Sequence, residues 1–162
     1  MAELLEPQEM FWTAFEPILS NRFTMYIDGV PSYLIHAADK PKITMNVVEL
    51  PHINLTRKVK GKAKWDDITI TLYEAIVPSA AQAVMEWIRL SHESVTGRDG
   101  YSDFYKKELV FNSLGPVGDK IQEWKLVGAW VSGGNFGKGD WATDDPSGIE
   151  LTISYDYAIL NF

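Results

Sequence analysis

Three histidines, two pairs of adjacent aspartates and one glycine-rich run are the places where this 162-residue chain could do chemistry. His36, His52 and His92 lack the His-x-His or His-x-x-x-His spacing that turns two imidazoles toward one metal ion. Asp66-Asp67 and Asp144-Asp145 are adjacent, so in an extended chain their carboxylates point to opposite faces and neither pair makes a two-carboxylate acid–base site. They read as solvated turn or strand-entry acids. The run Gly133-Gly134-Asn135-Phe136-Gly137-Lys138-Gly139 approaches a phosphate loop, but it lacks the first glycine at the right distance. Gly139 stands where Ser or Thr must meet magnesium, and Asp140-Trp141 follow where a helix N-terminus should receive the phosphates. It reads as a flexible loop. No Gly-x-Ser-x-Gly occurs, and with no Cys the chain cannot build disulfides, Cys-ligated zinc, iron–sulfur clusters or thiol nucleophiles. The expectation is a non-enzymatic protein without a metal or cofactor.

The elements that position these residues come from hydrophobic period. With 46% hydrophobic, 12% aromatic and 23% charged residues the composition is globular, at a length that suits one domain. The net charge of -7 speaks against tight binding of a phosphate backbone. No run approaches the ~20 apolar residues of a membrane helix, and the acidic first residues do not read as a signal peptide, so a soluble protein in a reducing compartment is expected. Residues 1–20 are expected to be an arm with an apolar cluster, Met10, Phe11, Trp12 and Phe15 between Pro7 and Pro17 and Ile18 and Leu19 just after, and the spacing of Phe11, Phe15 and Ile18 predicts a short helix. The arm either packs on its own domain or docks through Phe11, Trp12 and Phe15 on a neighbouring subunit.

Residues 21–162 are expected to make one domain. Phe23, Met25 and Ile27 alternate with polar neighbours, Asp28-Gly29 supplies a tight turn, and residues 32–38 return, which predicts a hairpin. An extended region over residues 43–59 is expected to break at Leu50-Pro51, because proline cannot donate to a sheet ladder. Ile68, Ile70 and Leu72 alternate with Thr69, Thr71 and Tyr73. Ser79 and Gln82 make a Ser-x-x-Gln capping box for a helix whose apolar face is Ala81, Val84, Met85 and Ile88. Strands follow over residues 108–114 and 121–131, and a long closing strand over residues 149–159. About seven strands and one helix imply antiparallel sheets closed into a sandwich or barrel, with the helix on one side.

Residues 57–64 hold five of the fifteen basic residues, Arg57, Lys58, Lys60, Lys62 and Lys64. Four lysines at every second position line one face if the segment is a regular strand. Such a row protects an edge from wrong pairing, or, in a protein this acidic, finds its complement on another copy of the same molecule. Interleaved aromatics, which single-stranded nucleic acid would require, are missing.

The order of features resembles the tail-tube proteins of contractile-tailed bacteriophages over residues 21–157. Four places carry the resemblance. Asn21-Arg22-Phe23 opens the first strand; Arg57-Lys58 precedes a Gly- and Lys-bearing stretch leading into Trp65-Asp66-Asp67-Ile68-Thr69-Ile70-Thr71; the helix holds Trp87; and Tyr105-Lys106-Lys107, Gly128-Ala129-Trp130 and Tyr155-Asp156-Tyr157 follow in order. The acidic aromatic arm and the loop over residues 133–139 depart from the family pattern. The resemblance implies hexameric rings of β-barrel-like subunits, inner sheets joined around a channel, rings stacked into a tube inside a contractile sheath, and a virion tail tube assembled in the host cytoplasm. The implied partners are the chain itself, the sheath, baseplate and tape-measure proteins, and DNA that passes the lumen without sequence-specific binding; no membrane is implied. Tubes of tailocins and type VI-like secretion devices share the fold and are the alternative, with a small-molecule-binding barrel lined by Trp124, Trp130 and Tyr155 as a further one.

The closing strand assigns the lumen. Ile149, Leu151, Ile153, Tyr155 and Tyr157 project toward a core, so Glu150, Thr152, Ser154 and Asp156 project the other way. Asp67, Thr69 and Thr71 repeat that small, acidic character on another strand. A DNA channel benefits from both properties, since carboxylates repel phosphates and short hydroxyls neither stack on bases nor obstruct. An outward solvent face would look the same in sequence.

Overall fold

In the computed structural model, which describes residues 16–162, the alternating segments meet as the patterning requires. Strand β5 (Ile68–Tyr73) lies antiparallel to β8 (Gly148–Ser154), with Ile68 opposite Ile153, Ile70 opposite Leu151 and Leu72 opposite Ile149. All six side chains are buried, and they form the centre of the core. The remaining strands are β1 (Phe23–Tyr26), β2 (Ile35–Ala38), β6 (Lys107–Leu114), β7 (Lys120–Asn135) and β9 (Tyr157–Leu160). They build one antiparallel sheet in the order β1-β6-β7-β8-β5-β2, with β9 also on β7, while β3 (Lys42–His52) and β4 (Leu55–Asp66) form a separate two-stranded sheet. The mainly β, antiparallel sandwich or barrel architecture is therefore present, and the described residues add a long helix, α1 (Ala80–Ser91), and a one-turn helix, α2 (Ser102–Tyr105).

Several elements differ from the expectation. The Asp28-Gly29 turn forms, with the Val30 N–H donating to the Ile27 carbonyl at 3.1 Å and Gly29 at φ +84°. The strands it joins nevertheless part: β1 pairs with β6 and β2 with β5, at opposite edges of the sheet. A tight turn reverses the chain but does not choose its partner. Here Phe23 stacks on Phe111 at 5.4 Å, while Pro31 and a 3₁₀ turn over Ser32–Leu34 steer the return away.

The closing strand is two strands. Between β8 and β9 the chain breaks at Tyr155-Asp156, opposite Gly128 of β7, where φ is +70° and a Cβ would strike the Asp156 carboxylate. The break ends the alternation, so Tyr155 is buried but Tyr157 is 46% exposed instead of joining the core. Strand β7 continues through Gly133, Gly134 and Asn135, which pair with Thr152, Leu151 and Glu150, so only residues 136–147 form a loop.

Helix α1 begins as the cap predicts. Ser79 accepts the Gln82 N–H at 3.4 Å, and the Glu74 carboxylate completes the cap by accepting the Ala80 and Ala81 N–H groups, each at 3.0 Å. Its buried residues are Ala80, Val84 and Trp87, with Ala81, Met85 and Ile88 only partly covered, so the helix is rotated from the expected face. Trp87 sets that rotation: its indole N–H donates to the Tyr105 carbonyl at 2.7 Å. The expected arm helix and Phe11, Trp12 and Phe15 lie outside the described residues.

Candidate assembly surfaces

Among the described residues the β3–β4 hairpin pairs only with itself. All eleven residues of β3 are exposed, and so is most of β4, although β3 carries Ile43, Met45, Val47, Val48 and Leu50. The ladder runs through Pro51, paired with Thr56, to a two-residue turn after the His52–Leu55 pair. Proline is tolerated beside the closing pair because its nitrogen faces away from the partner strand there. The expected break at Leu50-Pro51 is thus displaced to the turn, where Ile53 sits at φ +48° and is 91% exposed.

The lysines do not share one face. Val47 pairs with Lys60 and Met45 with Ala63, so Gly61 and Lys62 together oppose Asn46 in a bulge that shifts the alternation by one residue. Lys58 and Lys60 lie on one face, beside Glu49 and Val47. Arg57 and Lys64 lie on the other, Arg57 opposite Leu50 and Lys64 opposite Thr44, whose hydroxyl donates to Asp66 at 2.7 Å. The hairpin therefore presents basic and apolar side chains on both faces.

The outward face of β5 and β8 gathers most of the residues assigned to the lumen. Thr69 pairs with Thr152 and Thr71 with Glu150, while Asp67 precedes β5 and Ser154 ends β8. Gly133 and Asn135 extend the face across β7, a continuation that Gly-Gly-Asn, with no apolar–polar alternation, could not signal. Asp156 leaves this set. It sits in the strand break, paired with the Lys106 ammonium at 3.0 Å. The histidines stay apart: His36 packs on Tyr73 at 4.5 Å, His92 Nδ1 meets Asp99 at 2.8 Å, and His52 is near the hairpin turn. The aromatics of the carrier alternative are engaged in packing, Trp130 against Tyr105 at 6.0 Å, Tyr155 against Trp65 at 6.1 Å and Trp124 against the core.

Tyr155 ties the hairpin base to the core. Burial raises its phenol above the ordinary 10.0; the Lys42 N–H, donating to its oxygen at 3.3 Å, pulls the other way, and the Asp66 and Asp67 carboxylates add to the rise. The fold thus favours the neutral phenol, a contribution that is whole below pH about 10 and is lost as pH climbs through the higher folded value. Urea unfolding across that range should show a steeper fall in stability for the wild type than for Tyr155→Phe. Equal slopes would mean that Tyr155 titrates as in the unfolded chain.

No protein-family model matches the sequence, and no curated protein is similar to it. Solved structures are similar in fold. A chain of the anti-feeding prophage tube-terminating cap superposes with TM-score 0.75 at 15% identity, over 97% of this chain and 99% of that one. A chain of the sheath-tube complex of the extracellular contractile injection system PVC gives 0.70 at 17% identity, over 90% and 91%. Hcp1 from Flavobacterium johnsoniae gives 0.51 at 12% identity, over 86% and 94%. The antiparallel sheet, covering helix and projecting hairpin of the described residues thus make up a fold similar overall to that of tube and tube-terminator proteins of contractile injection systems.

Proposed function

We propose that the chain is a structural subunit of the inner tube of a contractile machine, whose copies form hexameric rings that stack into a channel inside a sheath. The observation that carries this reading is the hairpin: two strands of eleven and twelve residues that bury almost nothing of their own, on a fold shared with tube proteins. So much apolar and basic surface on one projecting element needs an assembly to cover it. The small polar face of β5 and β8, with Thr69, Thr71, Glu150, Thr152 and Ser154, suits a channel wall, and Asp67 stands at its rim. In a phage tail the channel would carry DNA into the host. Sheath and baseplate proteins are the corresponding partners.

A second reading is a subunit that ends the tube, since similar chains come from structures of tube terminators, one in the PVC system at TM-score 0.75 and 16% identity. Electron microscopy of the purified chain tests both. Long hollow tubes with the β5–β8 face toward the channel are the expected result. Single rings or short stacks would favour the terminal subunit, and a monomer at all concentrations would refute the tube reading.

A further inference from the structure

The β5–β8 ladder has two unlike ends. At the Ile68–Ile153 end the chain arrives from β4 through the single residue Asp67, so the hairpin leaves there. At the Tyr73–Gly148 end two loops leave, residues 74–79 and 136–147, held together by the Glu74 N–H donating to the Ser147 carbonyl at 3.0 Å. The ends are about 20 Å of strand apart.

Their charges are opposite. Strand β4 carries Arg57, Lys58, Lys60, Lys62 and Lys64, whereas the 136–147 loop carries Asp140, Asp144 and Asp145, all exposed, against Lys138 alone. Their apolar groups also match in kind. The loop end leaves Trp141 wholly exposed, Ile76 at 98% and Val77 at 86%, and the hairpin leaves Leu55 at 75% beside Ile53. Beside the aspartates an open hollow of about 620 Å³ is lined by Phe136, Lys138, Asp140, Thr143, Asp145 and Gly148, room for a long side chain.

We infer that the acidic, aromatic 136–147 loop is the seat for the basic hairpin of a second copy of this chain. The inference rests on the tube reading and adds the receiving surface and the polarity of the joint. Lys and Arg find carboxylates there and the face of an indole, which attracts cations. The turn residue Ile53, held in the left-handed conformation that a two-residue hairpin turn requires, stands 91% exposed at the hairpin tip, where a second copy can cover it. Because donor and seat are different surfaces at opposite ends of one ladder, the contact is heterologous and leaves a free donor and a free seat after every addition. Growth along an axis follows from that asymmetry.

Reciprocal charge reversal in the full chain tests it. Lys58→Glu/Lys60→Glu and Asp144→Lys/Asp145→Lys should each shorten tubes at least tenfold by electron microscopy, with circular dichroism unchanged. The chain carrying all four changes should regain tube growth. Trp141→Ala, which alters only an exposed side chain, should shorten tubes as well. The inference is overturned if the loop variant and Trp141→Ala both grow tubes of wild-type length, or if the fourfold variant, folded, stays as defective as the hairpin variant. Wild-type protein that forms no tubes would instead remove the tube reading, and this inference with it.

Discussion

Replacing residues 45–63 with an Asn-Gly turn is expected to give a folded chain that no longer stacks. The retained Thr44 and Lys64 are a directly opposed pair, so a two-residue turn can close the shortened ladder there. The removed segment touches the rest of the chain little, and exposed charges contribute on the order of 0–1 kcal/mol each, so thermal unfolding should hold within a few degrees. Assembly should lose everything that the hairpin's apolar and basic surface supplies, and the tube length by electron microscopy should fall to single rings. Full-length tubes from the shortened chain would show that stacking uses other surfaces. Loss of the fold would show that the hairpin belongs to its own core.

The largest effect on the fold itself is expected at Trp87. It is buried, donates its N–H to the Tyr105 carbonyl, and lies under the Lys107 ammonium, 5.2 Å from the ring. Trp87→Ala removes the ring that locks α1 onto the sheet and should cost about 3–5 kcal/mol, a large share of a domain's total of roughly 5–15 kcal/mol. Trp87→Phe keeps most of the apolar volume and leaves the carbonyl without its partner, for a cost of about 1–3 kcal/mol. Denaturant midpoints with an unchanged slope would report both. A cost below about 1 kcal/mol for the alanine variant would mean that the helix is dispensable to the core.

The two predictions separate the molecule into a part that stabilises itself and a part that, in the proposed tube, another copy covers. The core of Ile68, Ile70, Leu72, Ile149, Leu151 and Ile153 closes without the outer hairpin, and beyond Trp65 at its base the hairpin leaves Ile43, Met45, Val47, Val48, Leu50 and Leu55 exposed. Placing the unpartnered surface on one projecting ribbon lets a subunit stay folded before it assembles.

The sequence by itself determined the features that depend on near neighbours. A two-residue period made β5 and β8 two-faced strands, and Ser79 announced the start of α1. Tertiary structure decided what depends on distant ones. It sent β1 to β6 and β2 to β5, because partner choice rests on packing against residues far along the chain, Ser113 opposite Phe23 and Leu72 opposite Ile35. It broke the closing strand opposite Gly128, removing Asp156 from the polar face and Tyr157 from the core. It also split the lysine row with a single bulge, since one extra residue inverts every side chain beyond it and leaves no trace in composition. The opposition of a basic end and an acidic end was invisible for the same reason: residues 57–64 and 136–147 become the two ends of one ladder only when β5 pairs with β8.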